Sequence, residues 1–294
     1  MHADPYSDPT WDKALNVARK CLTPPSILAR LVHNSWTSSI SMKEFLYALD
    51  TMSFPSAAFI QAAQLLDESI SSREPAVTKL GFKGAASVAA VHFACGAIAA
   101  KCKAGELRNL ILQKLMDSIE IGYHFGLSTT AIGPETGVLI GFAQRIGGAL
   151  LITDGLPPVA DAQSVLNSTL SRHELIHAFG CEPYQVSSLA LQRLGFGPEF
   201  ASAAAFAIGH LNHELVTKDQ MVRDWWAASD WISALIAGEE RPKRRSSAEH
   251  FPELRYSAEA SCEIPLHLQA LASSIGSVRD SHSHWNWHVA QQQS

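Results

Sequence analysis

Cysteine is sparse and unpaired in this 294-residue chain: Cys21, Cys95, Cys102, Cys181 and Cys262 are widely spaced and never form a C-x-x-C pair. That excludes a disulfide-stapled miniprotein, argues against a cysteine-based zinc site and predicts a reducing, cytoplasmic setting. Charge of one sign is not in excess either. Twenty-three Lys and Arg stand against 28 Asp and Glu, a formal −5, so the chain as a whole lacks the cationic field that non-specific nucleic-acid binding uses. A local basic patch stays open. No uninterrupted apolar run reaches the roughly 18 residues of a membrane span, because residues 85–100 contain His92 and residues 137–152 contain Gln144 and Arg145. The opening MHADPYSDPT lacks the basic-then-apolar order of a secretory signal. Strand-type alternation is nearly absent, and no repeat of roughly 20 to 50 residues is visible.

What is present is apolar and helical. Hydrophobic residues make up 47% of the chain, enough for one large or two ordinary cores at roughly 150 residues per domain. Ile27, Leu28, Leu31 and Val32 recur at three and four, as do Phe45, Leu46, Leu49 and Met52, which is the period of a buried helix face. Ala-rich runs at residues 85–100 and 200–208 favour helix and allow close packing. Breaks fall at Thr23-Pro24-Pro25, Ser53-Phe54-Pro55, Gly133-Pro134, residues 155–158 and residues 195–198. The pattern predicts an all-α protein of about a dozen helices. After Gly238 the run EERPKRRSS and the ending SHSHWNWHVAQQQS change the character, so the chain divides into a polar extension (1–19), a helical domain (20–240), and a charged linker with a His- and Trp-containing tail (241–294).

One local pattern looks like chemistry. His173-Glu174-Leu175-Ile176-His177 is an H-E-x-x-H, which on a helix sets two imidazoles one turn apart to share a zinc ion beside a general-base Glu. Gly180 extends the match, but Pro183 stands where the longer pattern has its third His. Glu199, His210, His213 and Glu214 are the downstream alternatives for a third ligand. Trp225, Trp226 and Trp231 sit at packing spacing on one helix. Residues 241–245 read as a solvated basic linker, and His282, His284 and His288 beside Trp285 and Trp287 offer at most a weak metal site.

Several blocks follow one another in a telling order. Leu22-Thr23-Pro24-Pro25 is followed by Pro75 to Phe82 with its Leu80-Gly81 pair, then by Ile140 to Leu151. Glu174, Gly180 and Val186 lead into Arg193-Leu194-Gly195-Phe196-Gly197-Pro198, then Ala207 to Leu211 and Ser229-Asp230. Over residues 20–240 this order resembles the HDOD domain, a bacterial signalling module related to the HD-type phosphohydrolases. The resemblance implies an HD-like multi-helix bundle in two helical halves. An HD enzyme needs an early His, an adjacent His-Asp pair and a late Asp around one or two divalent metals. Here the early position falls near Asp117 or Ser118, the pair is replaced by Gln144 and Arg145, and Pro183 and Leu211 replace two further histidines.

Only His210 and Asp230 keep a ligand-capable type. The resemblance therefore implies a vestigial pocket of Gln144, Arg145, His210 and Asp230, with no cofactor and with Arg145 paired to Asp230 or Asp117. The role implied is non-catalytic: a cytoplasmic signalling or scaffold protein that binds a small ligand or a partner such as a kinase, a response regulator or a component of a cyclic-dinucleotide system. The competing expectation is a metal-dependent hydrolase, either a degenerate HD phosphohydrolase or a zinc peptidase using His173, Glu174 and His177.

Overall fold

The computed structural model describes residues 8–37, 40–209, 219–254 and 266–288. Among these the chain is all-α, with fourteen α-helices and no strand. In order they are α1 (Pro9–Cys21), α2 (Ser26–Thr37), α3 (Met42–Thr51), α4 (Ser56–Gln64), α5 (Arg73–Lys101), α6 (Gly105–Leu127) and α7 (Gly133–Gly155). Then come α8 (Val159–Leu166), α9 (Arg172–Phe179), α10 (Pro183–Leu194), α11 (Pro198–Ile208), α12 (Gln220–Ala237), α13 (Arg245–Ala248) and α14 (Leu266–Ser281).

Local chemistry sets many of the boundaries. Asp8 caps α1 through the Thr10 N–H, Asp219 caps α12, and Ser41 with Glu44 forms a reciprocal capping box on α3, each satisfying donors that the first helical turn leaves free. Gly81 interrupts α5 at φ 66°, ψ 164°. Only glycine reaches that conformation at little cost, so the Leu80-Gly81 pair is where the long helix kinks.

At the centre α6 and α7 form an antiparallel pair whose backbones touch. Ser118, Gly122 and Gly126 on α6 face Gly141, Gly137 and Gly133 respectively. A Cβ added at Gly122 would lie 2.2 Å from the Gly137 carbonyl oxygen, and one at Gly137 would lie 2.1 Å from that of Gly122. The Ser118 hydroxyl donates to the Gly141 carbonyl at 2.7 Å. On its other flank α7 meets α10, where the Gly147 N–H donates to Ser187 Oγ and the Ser187 hydroxyl donates to the Ala143 carbonyl. Helices α5 and α7 are long and apolar enough to cross a membrane by length and composition, but 89% of the α7 window is buried inside the protein, so packing accounts for its apolar character.

The two ends differ from the sequence expectation. Residues 9–21 are not a polar extension: Ala14, Val17, Ala18 and Cys21 are buried, and α1 packs on α7 and α10. Nor does the packed core stop near residue 240. Phe251, Leu254, Leu271, Ile275, Val278 and Trp287 are all buried in the same hydrophobic cluster as the central helices, and α14 lies along α6. The charged run EERPKRRSS leads from α12 into α13, with Ser247 buried.

Candidate functional site: a cationic cavity beneath the C-terminal helix

Helices α6, α7, α12 and α14, with the end of α8, surround a cavity of about 210 Å³. Its lining includes Lys114, Asp117 and Ser118 from α6, Arg145 from α7, Asn167 after α8, and Arg279 with His282 at the end of α14. Arg145 is only 7% exposed. Its Nη1 donates to the Leu166 carbonyl and, at 3.4 Å, to Ser168 Oγ, while its Nε–H is buried without a partner. Burial pushes the guanidinium down to about 10, with the Asp117 charge working in the opposite direction, so it stays protonated at neutral pH.

Asp117 is held by the chain that leaves α14. His282 turns into the left-handed region at φ 63°, which aims the next backbone donors at α6. The Ser283 N–H donates to Asp117 Oδ1 at 2.8 Å, the His284 N–H donates to Glu120 Oε2 at 3.1 Å, and the Ser283 hydroxyl also donates to Glu120. His282 Nδ1 stands 3.5 Å from Asp117 Oδ2. One turn further along α6, Tyr123 takes Trp285 edge to face at 5.0 Å. Residues 282–288 thus form a strap across α6. Its far end borders a second, mostly apolar cavity of about 260 Å³, lined among others by Leu66, Leu80, Val138, Trp285 and Trp287.

The strap ends on a buried histidine. His92 on α5 donates from Nδ1 to the Trp287 carbonyl at 3.2 Å, and its Nε2 is buried without a partner. Burial lowers the pKa of His92, and burial together with the neighbouring His92 lowers that of His288. As pH falls through the ordinary histidine value of about 6.5, the unfolded chain takes up protons before the folded one, so stability falls with it. Melting temperature should drop between pH 7 and pH 5, and His92→Gln should flatten that slope; an identical slope in the variant would exclude His92 as a source.

The residues singled out from sequence separate in space. Gln144 reaches α12, donating to the Ser229 carbonyl at 3.3 Å and accepting from the Ser233 hydroxyl, whereas Arg145 reaches the end of α8. The expected Arg145–Asp230 pair is not formed: Asp230 accepts from the Ser247 hydroxyl at 2.6 Å and pairs with Arg244 at 3.6 Å, and that Arg244 lies over the Trp226 ring. Asp230 therefore docks the α13 segment. Asp117 shares the cavity with Arg145 but makes no ion pair with it within 4.0 Å. His210, with His213 and Glu214, lies outside the described residues.

The H-E-x-x-H has a structural explanation. Glu174 completes a capping box with Ser171, accepting the Ser171 N–H at 2.7 Å, and these hydrogen bonds lower its pKa. His173 and His177 are exposed and stack with ring centroids 6.5 Å apart. Gly180 is the left-handed cap that ends α9. Among the described residues no group of three His, Cys, Asp or Glu converges as a metal-ligand set. Around the cationic cavity the donor set does not fit a divalent ion, since a buried guanidinium occupies the floor and Asp117 is its one carboxylate among the described residues.

The overall fold has known counterparts. The chain aligns over 93% of its length with 98% of an HDOD domain protein with unknown function from Geobacter sulfurreducens, at TM-score 0.58 and 15% identity. It aligns over 96% of its length with 98% of a "Putative phosphohydrolase" from Shewanella amazonensis, at TM-score 0.59 and 13% identity. No protein-family model and no curated protein matches the chain. The fold is therefore HD/HDOD-like over nearly the whole chain, and at these identities the likeness is one of fold alone.

Proposed function

We propose that the protein is a non-catalytic component of bacterial signal transduction, a scaffold or sensor built on an HDOD-like fold. The observation that carries this reading is Arg145. A permanently charged, buried side chain forms the floor of the cavity on which Asp117 and Ser118 also open, and the resemblance puts the HD metal pair at Gln144 and Arg145. A divalent ion there would meet a guanidinium in a low-dielectric site, where like charges repel strongly. The engagement of Asp117 by the Ser283 N–H supports the same reading, because that carboxylate already has a partner. A kinase, a response regulator or a cyclic-dinucleotide component remains the class of partner proposed, in the cytoplasm. The burial of Cys21, Cys95, Cys102 and Cys181 as free thiols suits such a reducing setting.

The test is direct. Purified protein supplied with Mg²⁺, Mn²⁺ or Fe²⁺ should leave p-nitrophenyl phosphate and bis-p-nitrophenyl phosphate unhydrolysed, and none of these ions should raise its melting temperature, since a ligand stabilises only by binding the folded state. Metal-dependent turnover that disappears in Asp117→Asn would overturn the reading and restore a hydrolase.

A further inference from the structure

We infer that the cavity over Arg145 is a metal-free binding site for a compact oxyanion carrying two or more negative charges. The inference rests on the non-catalytic reading only in that no metal shares the cavity. Its first support is charge. Among the described residues, Lys114, Arg145 and Arg279 bring three fixed cations to one cavity against the single carboxylate of Asp117, in a chain whose formal charge is −5. Asp117 is itself engaged, with the Ser283 N–H on one oxygen and His282 beside the other.

The second support is the state of Arg145. A buried charge is costly unless it is paired and hydrogen-bonded. Here, among the described residues, the guanidinium has a carbonyl and a hydroxyl for partners, a buried Nε–H with none, and no carboxylate within ion-pair distance. An anion in the cavity would supply the missing counter-charge. The donors also come from different directions: Lys114 from α6, Arg145 from α7 and Arg279 from α14. That convergence suits a multiply charged oxyanion better than a planar monocarboxylate.

Size and access narrow the ligand. A volume of about 210 Å³ corresponds to roughly seven waters and lies below the roughly 300 Å³ at which pockets for drug-sized ligands begin. Inorganic phosphate or a small polycarboxylate fits that space. Asn167, Arg279 and His282 are exposed, so they form a rim open to solvent, whereas Ser118 and Arg145 are buried and form the floor.

The experiment is calorimetric titration of the full chain, freed of metal over a chelating resin, at fixed ionic strength, with inorganic phosphate, citrate, and acetate as a monovalent control. The expected result is saturable 1:1 binding of phosphate, citrate or both, with acetate silent. Phosphate alone would assign a phosphate-type ligand, and citrate alone a polycarboxylate. Lys114→Gln and Arg279→Gln should each weaken binding about tenfold, the loss of one charge-assisted hydrogen bond, while Lys103→Gln, exposed and away from the cavity, should leave it unchanged. Circular dichroism of each variant separates loss of binding from loss of fold, and with two variants either one suffices. Absence of saturable binding, equal binding of acetate, or unchanged affinity in both the Lys114 and Arg279 variants would overturn the inference. Because the titration contains no free metal, those outcomes leave the hydrolysis test standing, and metal-dependent turnover there leaves this titration standing.

Discussion

Alanine at Gly137 should lower the unfolding free energy by about 3 kcal/mol, the upper part of the range for overpacking a well-filled interior, and bring the melting temperature down by roughly 6–12 °C. The cause is the α6–α7 contact. The new methyl would stand 2.1 Å from the Gly122 carbonyl oxygen and 3.1 Å from the Gly126 Cα, and both are backbone, so no rotamer change makes room. The two helices must move apart, and the Ser118–Gly141 hydrogen bond at the same seam would be strained with them. Gly122→Ala meets the reciprocal obstacle and should cost about as much. Gly84→Ala is the control: its Cβ would meet nothing closer than 3.6 Å. At an interior helical position it should be neutral or stabilising by up to about 1 kcal/mol. Chemical denaturation of the three variants checks the contrast, and a Gly137→Ala midpoint equal to wild type would show that the helices are not in backbone contact.

That seam was open to reading from the sequence. Ser118, Gly122 and Gly126 recur every four residues, and so do Gly133, Gly137 and Gly141, which is the spacing of small residues on one helix face. The capping box was equally legible: Ser171-Arg172-His173-Glu174 is an S-x-x-E, and it explains Glu174 without a metal. The order of blocks along the chain was informative because two of them meet in space. Arg193 Nε donates to the Leu22 carbonyl at 2.7 Å, and Phe196 packs against Trp36 of α2, so the Pro-rich turn and the Gly-Pro turn form one joint. The partner of Arg145 was not legible. Which carboxylate lies within reach of a buried guanidinium depends on how distant helices cross, and Asp230 is taken by Arg244 and Ser247, whose closeness no periodicity announces. Asp117 and Ser118, near which the resemblance puts the early His position, line the same cavity as Arg145.

A chain truncated after Glu240 should fail to give a cooperatively folded domain, although the composition shift after Gly238 makes that the natural place to cut. Leu271, Ile275 and Val278 follow a four-three spacing that marks a buried helix face, and each is 2% exposed. Without residues 241–294, Phe125 loses the edge-to-face contact of Phe251, the Trp231 indole N–H loses the Ser247 carbonyl, and Tyr123 loses Trp285. Asp230 would lose Ser247 and Arg244, and Asp117 and Glu120 would lose the backbone donors of Ser283 and His284. These carboxylates would be left at apolar surfaces newly open to water. Burial of each large apolar side chain contributes roughly 1.5–3 kcal/mol before the cost of ordering the segment is subtracted, against a total stability of about 5–15 kcal/mol for a typical domain. A single residue isolates the effect without removing chain: Trp287→Ala, at a position 3% exposed whose carbonyl accepts the His92 N–H, should cost about 3–5 kcal/mol. The truncated chain should bind a hydrophobic dye such as ANS and melt without a sharp transition. Should it instead melt cooperatively within a few degrees of the full chain, the C-terminal helix and strap would be an accessory layer, and the cavity they cover would have to stand on α6 and α7 alone.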